Sequence, residues 1–445
     1  MMICWLYASK NYMLYYMPNK YIKYLIPILL TMMSLTVSAE KTVFSLVTHY
    51  QTEKAVYTAW GHSALRLTPA FRSEKDPFCD DWIYNYGLFS FGDYTKFVYN
   101  FVLGRTDYMV GSQPFKYSFR EAVKYKKVSV REAVLNLTDE EVERLDKALQ
   151  VNEMSENCVY RYSFFFDNCA TRPRLMLEKC VNGTIDYHFT DDTLTAQSYR
   201  QNIGERLSNS PWFNFGIYIC LGEPTDRNMS DSLRMFEPVH MHNVFTRTEI
   251  VDSLGNRRPL VVSDNFLHRS DTKSECQWTF FTPNIVFWVM FLLVVAHTIF
   301  YYRRKKDDYI WFDSAFYSLY GILGILVFFL SFISEHACVF PNYNILFFSP
   351  LYLLCPVFCL VKRFRPALKY FHIFAFVSVS ISLLMALVSD IWIWVDNDYF
   401  TKHTCLQSFH PAFYPIMLSL MLRSGSWMWR YGNKKFLEFA KTNSK

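Results

Sequence analysis

The sequence lacks the signatures of several large enzyme classes. It has no glycine-rich phosphate loop and no Gly-x-Ser-x-Gly elbow, which argues against nucleotide-dependent enzymes and serine hydrolases of those types. Its cysteines and histidines show no ligand spacing such as Cys-x-x-Cys or His-x-x-x-His, so we expect neither a metal nor another cofactor. No basic stripe is interleaved with stacking aromatic residues, so nucleic acid is not an expected partner.

The chain instead carries many apolar residues, beginning near its N-terminus. Of its 445 residues, 51% are hydrophobic and 19% are aromatic. A basic flank, the apolar run 25–30 and the small residues Val37-Ser38-Ala39 have the order of an export signal. We therefore expect residues 1–39 to be a cleaved signal peptide; the alternative is an uncleaved anchor. Met17 is a more ordinary start, so residues 1–16 are interpreted as a misassigned leader.

The rest of the chain divides into a polar part and an apolar part. Residues 40–277 contain no apolar run long enough to cross a bilayer, whereas residues 280–430 contain four such runs and a shorter fifth one. The five predicted spans are Pro283–Tyr302, Ser314–Ile333, Ile345–Val361, Tyr370–Val388 and Phe409–Leu422. Residues 431–445 would form a tail.

Basic residues cluster after the first, third and fifth predicted spans. The two loops on the opposite side, Ser334–Asn344 and Asp390–Phe409, contain only one lysine or arginine, Lys402. Because cytoplasmic loops are enriched in lysine and arginine, this asymmetry predicts a cytoplasmic tail and an exported domain at residues 40–277. The predicted export signal leads independently to the same orientation.

One cysteine lies where an aromatic run meets the predicted start of a helix. Residues 164–172 read Phe-Phe-Phe-Asp-Asn-Cys-Ala-Thr-Arg, and Tyr160–Phe166 is expected to be extended. Asp167 or Asn168 can cap the helix that follows. A cysteine in this position, Cys169, faces unpaired backbone N–H groups and the positive end of the helix dipole, so its pKa is expected to fall.

Two neighbouring residues bear on this site. Arg172 adds positive charge close to the Cys169 thiol. The helix that follows is expected to run to about Cys180. Pro173 favours a helix start nearer to Thr171, which would leave Cys169 on the preceding turn. Taken alone, a cysteine of this kind is more often a packed or disulfide-bonded residue than a nucleophile.

A histidine lies on a predicted strand about a hundred residues upstream. Residues 59–67 alternate between apolar and polar from Ser63 onwards, which predicts a strand that begins near His62. Residues 82–87 form a second short strand that carries Asn85. An imidazole beside a thiol can accept its proton, but each of these polar residues alone is more often structural.

Several motifs of this chain occur together in one known family. The exported part contains Ala59-Trp60-Gly61-His62-Ser63-Ala64-Leu65-Arg66, Tyr84-Asn85-Tyr86-Gly87, the 164–172 segment and Leu221-Gly222-Glu223-Pro224-Thr225-Asp226. The apolar part contains Ser334-Glu335-His336, Asn342-Tyr343-Asn344 and Ser349-Pro350. Over nearly its whole length the chain resembles the Bacteroidetes Lnb family of lipoprotein N-acyltransferases.

The resemblance implies a fold and a set of roles. The exported domain would be an α+β, circularly permuted papain-like domain of the NlpC/P60 type, followed by an all-α membrane domain. Cys169 would be the nucleophile and His62 the general base. Asn85 would orient the histidine, with Asp167 as the other candidate. Asn168, Arg172 and Ser63 would support the site.

The resemblance also implies a reaction. An acyl chain from a membrane phospholipid would pass through a thioester on Cys169 to the α-amino group of a lipidated lipoprotein N-terminus. The enzyme would lie in the bacterial inner membrane with its catalytic domain in the periplasm. Two alternatives stay open: a membrane-anchored cell-wall peptidase or amidase, and a non-enzymatic envelope assembly protein.

Glu335 and His336 lie at the outer end of the second predicted span. Ionisable groups at this depth are costly and often functional. With Asn342 and Asn344 they are expected to shape an access route for lipid or substrate. The alternative is that they are ordinary polar residues of the membrane interface.

Overall fold

The computed structural model describes residues 41–52, 58–70, 80–89, 92–189, 197–270, 280–303, 310–395 and 406–442. The predicted signal segment, residues 1–39, lies outside these ranges. As far as residue 270 the described chain forms a mixed α/β domain, and from residue 280 it is helical. This two-part organisation, an α/β domain followed by a helical membrane region, confirms the coarse prediction.

A seven-stranded antiparallel sheet is the centre of the α/β domain. The strands are, in chain order, Val43–His49 (β1), His62–Thr68 (β2), Trp82–Leu88 (β3), Asp107–Pro114 (β4), Val130–Leu135 (β5), Val159–Arg161 (β6), Thr184–Asp186 (β7), Glu249–Val251 (β8), Arg257–Pro259 (β9) and Val261–His268 (β10). The large sheet has the order β10-β5-β1-β2-β3-β4-β6, and β7-β8-β9 form a small second sheet. The strands predicted around His62 and Asn85 are therefore adjacent.

The helices of this domain are mostly short. They are Tyr94–Leu103 (α1), Phe115–Arg120 (α2), Asp139–Glu153 (α3), Thr171–Cys180 (α4), Tyr199–Arg206 (α5), Pro211–Cys220 (α6), Asp231–Arg234 (α7) and Pro238–Phe245 (α8). The predicted capping box opens α3, where Thr138 Oγ1 accepts from Glu141 N and a Glu141 carboxyl oxygen accepts from Thr138 N at 2.8 Å. A short π-helix, Glu121–Lys126, continues α2.

Both faces of the large sheet are covered. On one face Phe44, Leu46 and Leu65 pack with α3, α4 and α8. On the other face Val47, Ala64 and Ile83 pack with α2. Directly opposed residues of an antiparallel pair share a face.

The pairing of β1, β2 and β3 distributes the candidate residues over these faces. His62 is opposite His49, and Asn85 is opposite Ala64. The two histidines and Asn85 therefore lie on the face that α2 covers. Ser63, one residue further along β2, lies on the opposite face.

The extended conformation predicted for Tyr160–Phe166 is wrong beyond β6. The segment turns after Arg161, and the Asp167 N–H donates to the Ser163 carbonyl at 2.9 Å. The turn lets Phe164 pack edge-on against Trp60, with the ring centroids 4.8 Å apart. A straight strand would project successive rings to opposite sides.

Four segments of the described chain are long and apolar enough to cross a membrane: Pro283–Arg303, Ile310–Phe332, Tyr343–Leu360 and Lys362–Ile391. The helices of this region are Pro283–Arg303 (α9), Ile310–Phe332 (α10), Leu354–Leu360 (α11), Leu368–Val395 (α12) and Phe413–Thr442 (α13). The third segment is not one α-helix, because two 3₁₀ turns precede α11 and Pro350 begins the second of them. Proline has no N–H to continue a helical ladder.

The fifth predicted span corresponds to the first half of α13. Met417 and Leu420 are fully buried among the other membrane helices. Arg423, predicted to lie in a cytoplasmic segment, is instead buried, with Nη2 2.7 Å from Asp313 Oδ1 of α10 and Nη1 2.9 Å from Thr298 Oγ1 of α9. This arginine shortens the apolar run, so whether α13 crosses the membrane stays a prediction.

The α/β domain is joined to the membrane helices through segments that the charge pattern placed outside. The Asn342 side-chain amide donates to the Ile219 carbonyl at 3.0 Å, and that of Asn344 donates to the Tyr218 carbonyl at 2.7 Å. These amides satisfy the last carbonyls of α6. The Gly222 N–H donates to the Cys338 carbonyl at 2.9 Å. The 221–226 motif therefore forms part of the contact between the domains.

Candidate functional site

Cys169 lies on the turn immediately before α4. The helix begins at Thr171, as Pro173 favoured. Asn168 caps it, because its Oδ1 accepts from Ala170 N at 2.8 Å and from Thr171 N at 3.0 Å. Pro173 is then the third helical residue, where an N–H would have no partner within the helix.

Three further hydrogen bonds fix this turn. The Asn168 side-chain amide donates to the Phe164 and Phe236 carbonyls, both at 2.9 Å. The Ser63 hydroxyl donates to the Cys169 carbonyl at 2.9 Å, which attaches the turn to β2. The order Asn-Cys-Ala-Thr is therefore explained locally, since the asparagine holds the chain in place on both sides of the cysteine.

Among the described residues, the backbone N–H groups of Cys169 and Ser63 lie near the Cys169 sulfur. The N–H groups of Ala170 and Thr171 are used by Asn168, and the Asn168 N–H donates to Thr171 Oγ1 at 2.7 Å. The N–H of Cys169 itself points at its own sulfur, as does that of Ser63. The geometry of the turn thus favours the Cys169 N–H as a donor to an oxyanion.

His62 begins β2, and Asn85 holds its ring. His62 Nε2 is 3.0 Å from Asn85 Oδ1. An amide oxygen can only accept, so Nε2 carries the proton and Nδ1 is left as the basic nitrogen. Gly61 allows this arrangement, because it has a φ of +82° and a Cβ there would lie 2.4 Å from the His49 carbonyl oxygen.

The structure brings Cys169 to the start of β2, but Cys169 packs with the core on the α4 face of the sheet, whereas His62 lies on the α2 face. The sulfur meets the N–H of Ser63, which follows His62 in the chain. Among the described residues no hydrogen bond joins the thiol to the imidazole. Catalytic hydrogen bonds are often long in an empty site and shorten when substrate binds.

Asp167 and Arg172 form a separate ion pair beside the site. The Arg172 guanidinium bonds both Asp167 carboxyl oxygens and lies over the Tyr160 ring, 4.1 Å from its centroid. Asp167 therefore pairs with an arginine, and Asn85 is the residue that contacts His62. The two carboxyl oxygens leave little of the Arg172 charge for the thiol.

The expectation of a lowered thiol pKa is wrong. Burial raises the pKa of Cys169 to about 11, although the N–H groups of Ser63 and Cys169 act in the opposite direction. The loss of hydration of a buried thiolate outweighs these two dipoles. Burial likewise lowers the pKa of His62 below its ordinary 6.5, against the hydrogen bond that His62 donates to Asn85, which raises the pKa. At neutral pH the site therefore holds a thiol and a neutral imidazole.

Sequence reasoning missed a second buried histidine. His49 is opposite His62 on β1, with ring centroids 5.9 Å apart, and neither of its ring nitrogens has a hydrogen-bond partner in the part of the chain that the structure describes. Burial, followed by the neighbouring His62, lowers the pKa of His49 to about 3, so the ring is neutral. The Thr-His-Tyr sequence around it gives no local signal, because only the β1–β2 register brings it to the site.

Glu335 and His336 lie away from Cys169, against the last turn of α1. Glu335 pairs with Arg105 at 2.6 Å and with Arg161 at 3.1 Å. His336 Nε2 is 2.6 Å from the Phe101 carbonyl oxygen. Both residues thus join the membrane helices to the α/β domain.

Two family models match the chain. Residues 34–201 match the Lnb N-terminal periplasmic domain, and residues 274–435 match the Lnb transmembrane domain. No curated protein and no solved structure matches. The first match covers the α/β domain as far as α5, and the second covers the membrane helices, in the order found here. The chain therefore belongs to the Lnb family and is a membrane protein with a periplasmic domain.

Proposed function

We propose that this protein is a lipoprotein N-acyltransferase of the bacterial inner membrane, with Cys169 as nucleophile and a permuted papain-like catalytic domain. The observation that carries the proposal is that a histidine and a cysteine, each fixed by hydrogen bonds, lie on neighbouring segments. Asn85 fixes the tautomer of His62, and Asn168 and Ser63 fix the turn of Cys169 next to it. Joined to membrane helices, this site suits a substrate that is itself in the bilayer.

The first half-reaction acylates the cysteine. His62 Nδ1 takes the thiol proton while the Cys169 sulfur attacks the ester carbonyl of a phospholipid. The Cys169 N–H donates to the oxyanion that forms. The ester C–O bond then breaks, and His62 returns the proton to the departing glycerol oxygen. The products are a lysophospholipid and a thioester.

The second half-reaction transfers the chain. The α-amino group of a lipidated lipoprotein cysteine attacks the thioester carbonyl while His62 accepts a proton from the amine. The C–S bond breaks and the proton passes to the sulfur. The products are an amide and the free thiol. Amines attack thioesters faster than water does, so the intermediate favours transfer over hydrolysis.

Mass spectrometry of lipoprotein N-termini tests the proposal. A deletion strain is expected to accumulate lipoproteins with free α-amino groups, and purified protein incubated with phospholipid is expected to carry an acyl group on the Cys169 peptide. A cell-wall peptidase or an assembly protein would leave the N-termini acylated. That result in the deletion strain would exclude the acyltransferase.

The pH dependence of thioester formation is expected to show one acidic limb. His62 acts as a base only when it is neutral, so the rate should fall as the pH drops through its lowered pKa, below 6.5. Because the pKa of Cys169 is about 11, no alkaline limb is expected up to about pH 9. Single-turnover acylation measures this. A resting thiolate–imidazolium pair would instead give a bell-shaped profile with an alkaline limb.

Replacing Asn85 is expected to move that acidic limb. Asn85→Asp places a carboxylate at His62 Nε2, which stabilises the imidazolium and should shift the limb to higher pH. Asn85→Ala leaves Nε2–H without an acceptor and should slow acylation roughly 10–100-fold. Single-turnover rates across pH check both variants. Identical profiles for wild type and both variants would show that Asn85 does not position the base.

A further inference from the structure

Helix α1 is exposed to its surroundings yet largely apolar. Its sequence, Tyr-Thr-Lys-Phe-Val-Tyr-Asn-Phe-Val-Leu, contains one charged residue, Lys96. Tyr94 and Tyr99 are 69% and 60% exposed, and Phe101 is about half exposed. A surface helix of a soluble domain normally presents a polar face to water. The composition of α1 therefore indicates a non-aqueous neighbour.

The last turn of α1 is fixed to the outer end of a membrane span. Helix α10 ends at Phe332, and the residues that follow it donate hydrogen bonds to the last carbonyl groups of α1. The Ser334 hydroxyl donates to the Val102 carbonyl, and the Glu335 N–H donates to the Leu103 carbonyl, both at 2.8 Å. These bonds hold the end of α1 at the depth where the span leaves the bilayer.

The approach of α1 to this segment is close. Gly104, which follows the helix with a φ of +74°, has no side chain, and a Cβ there would lie 2.7 Å from the His336 nitrogen. The exposed Arg105–Glu335–Arg161 ion pairs lie beside the same contact. Charged groups and aromatic rings at a span end are typical of the membrane–water interface. The depth of α1 is thus set by the membrane domain.

A row of aromatic side chains connects α1 to the candidate nucleophile. We call Tyr162, Tyr108, Phe89, Phe97 and Phe101 the aromatic row. Consecutive ring centroids in the row are 4.4, 5.3, 5.6 and 6.2 Å apart. The row ends against His336, 5.8 Å from Phe101.

At its other end the row reaches Cys169. Gly87 lies between the two, because a Cβ on Gly87 would be 3.4 Å from the Tyr162 ring and 4.0 Å from the Cys169 Cβ. Each residue of the row is partly exposed, and Tyr108 and Tyr162 also pack against the core of the domain, so the row lies at the surface above that core. An apolar strip of this kind suits an extended hydrocarbon chain.

We propose that α1 lies in the outer leaflet of the bilayer and that the aromatic row receives the acyl chain of a membrane phospholipid and leads its ester to Cys169. The placement of α1 stands independently, and the use of the row rests on the proposed function. The occupant is lipid because the contact that fixes α1 is continuous with a membrane span. Strand β3, which carries Asn85, is the strand that precedes α1 in the chain.

Photolabelling tests where α1 lies. The full-length protein is reconstituted in vesicles of phosphatidylethanolamine and phosphatidylglycerol that contain a phospholipid with a diazirine in its acyl chain. Adducts are expected on Tyr94, Tyr99 and Phe101 as well as on the lipid-facing Leu292 of α9. Leu254, 86% exposed in the turn between β8 and β9, is the matched control and should stay unlabelled. Adducts on α9 with none on α1 would overturn the placement.

Substitutions in α1 and in the aromatic row test whether the row binds the acyl chain of the phospholipid. The Val98→Glu/Tyr99→Glu variant is expected to lower thioacylation of Cys169 from vesicle phospholipid roughly tenfold or more, because acidic residues are excluded from the apolar part of a bilayer. Tyr108→Ala should lower it without removing the adducts on α1. Both variants should unfold in detergent at the same temperature as wild type, which shows an intact fold. Leu254→Glu should behave as wild type.

The outcomes separate the two proposals. If wild type is thioacylated but neither the α1 variant nor Tyr108→Ala slows the reaction, the route along the row is wrong and the proposed function stands. If α1 is photolabelled but no phospholipid acylates Cys169, the membrane placement stands and the proposed function is wrong.

Discussion

Replacing Cys169 with serine is expected to lower acyl transfer roughly 10³-fold or more, the size of effect seen when the nucleophile of a covalent mechanism is removed. The serine hydroxyl has nearly the same size but is far less nucleophilic than sulfur. The Ser63 bond to this turn should persist, because it is made to the residue 169 carbonyl. Lipoproteins from cells whose only copy is the variant should carry free α-amino groups by mass spectrometry.

Cys158 offers a matched control for this substitution. It is partly exposed, and its sulfur lies 3.7 Å from the Ser155 carbonyl oxygen, a contact that a serine can also make. Cys158→Ser should therefore mature lipoproteins at the wild-type rate. If Cys169→Ser does so as well, the thioester mechanism is wrong.

Replacing Arg423 with methionine should destabilise the membrane domain by about 3–5 kcal/mol, since it leaves a buried carboxylate without its partner. Arg423 and Asp313 are both nearly inaccessible, and Arg423 also bonds Thr298. The variant therefore removes a link among α9, α10 and α13. Unfolding of the purified protein in detergent, followed by heat or denaturant, measures the loss.

Two controls distinguish this pair from an ordinary charge effect. In Arg423→Met/Asp313→Leu no buried charge is left, so most of the stability should return. Lys41→Ala breaks an exposed pair with Asp139, 3.4 Å long, and should change stability little. Equal destabilisation by Arg423→Met and Lys41→Ala would show that burial of the pair does not matter.

Local sequence patterns predicted the elements that hold the site. The alternation after His62 predicted β2, and the capping box at Thr138 predicted the start of α3. Pro173 correctly favoured a helix start at Thr171. Each of these signals comes from residues close together in the chain, where backbone geometry is decided by immediate neighbours.

Features that depend on tertiary contacts could not be predicted from the sequence. His49 reaches the site through strand register, and Arg423 is buried against Asp313 and Thr298, which precede it by 110 and 125 residues in the chain. The predicted direction of the Cys169 pKa shift was wrong because the prediction rested on the helix dipole, a local effect, whereas burial depends on the whole domain. The 221–226 motif likewise acts through a contact distant in sequence, since the Gly222 N–H donates to the Cys338 carbonyl.

The burial of Cys169 also bears on the chemical lifetime of the protein. Oxidants attack cysteines that are exposed and ionised, and the periplasm is an oxidising compartment. With a pKa of about 11 and little exposed surface, the Cys169 thiol is a poor target for peroxides and for stray disulfides. On the proposed mechanism, this burial protects the nucleophilic sulfur from oxidation before substrate binds.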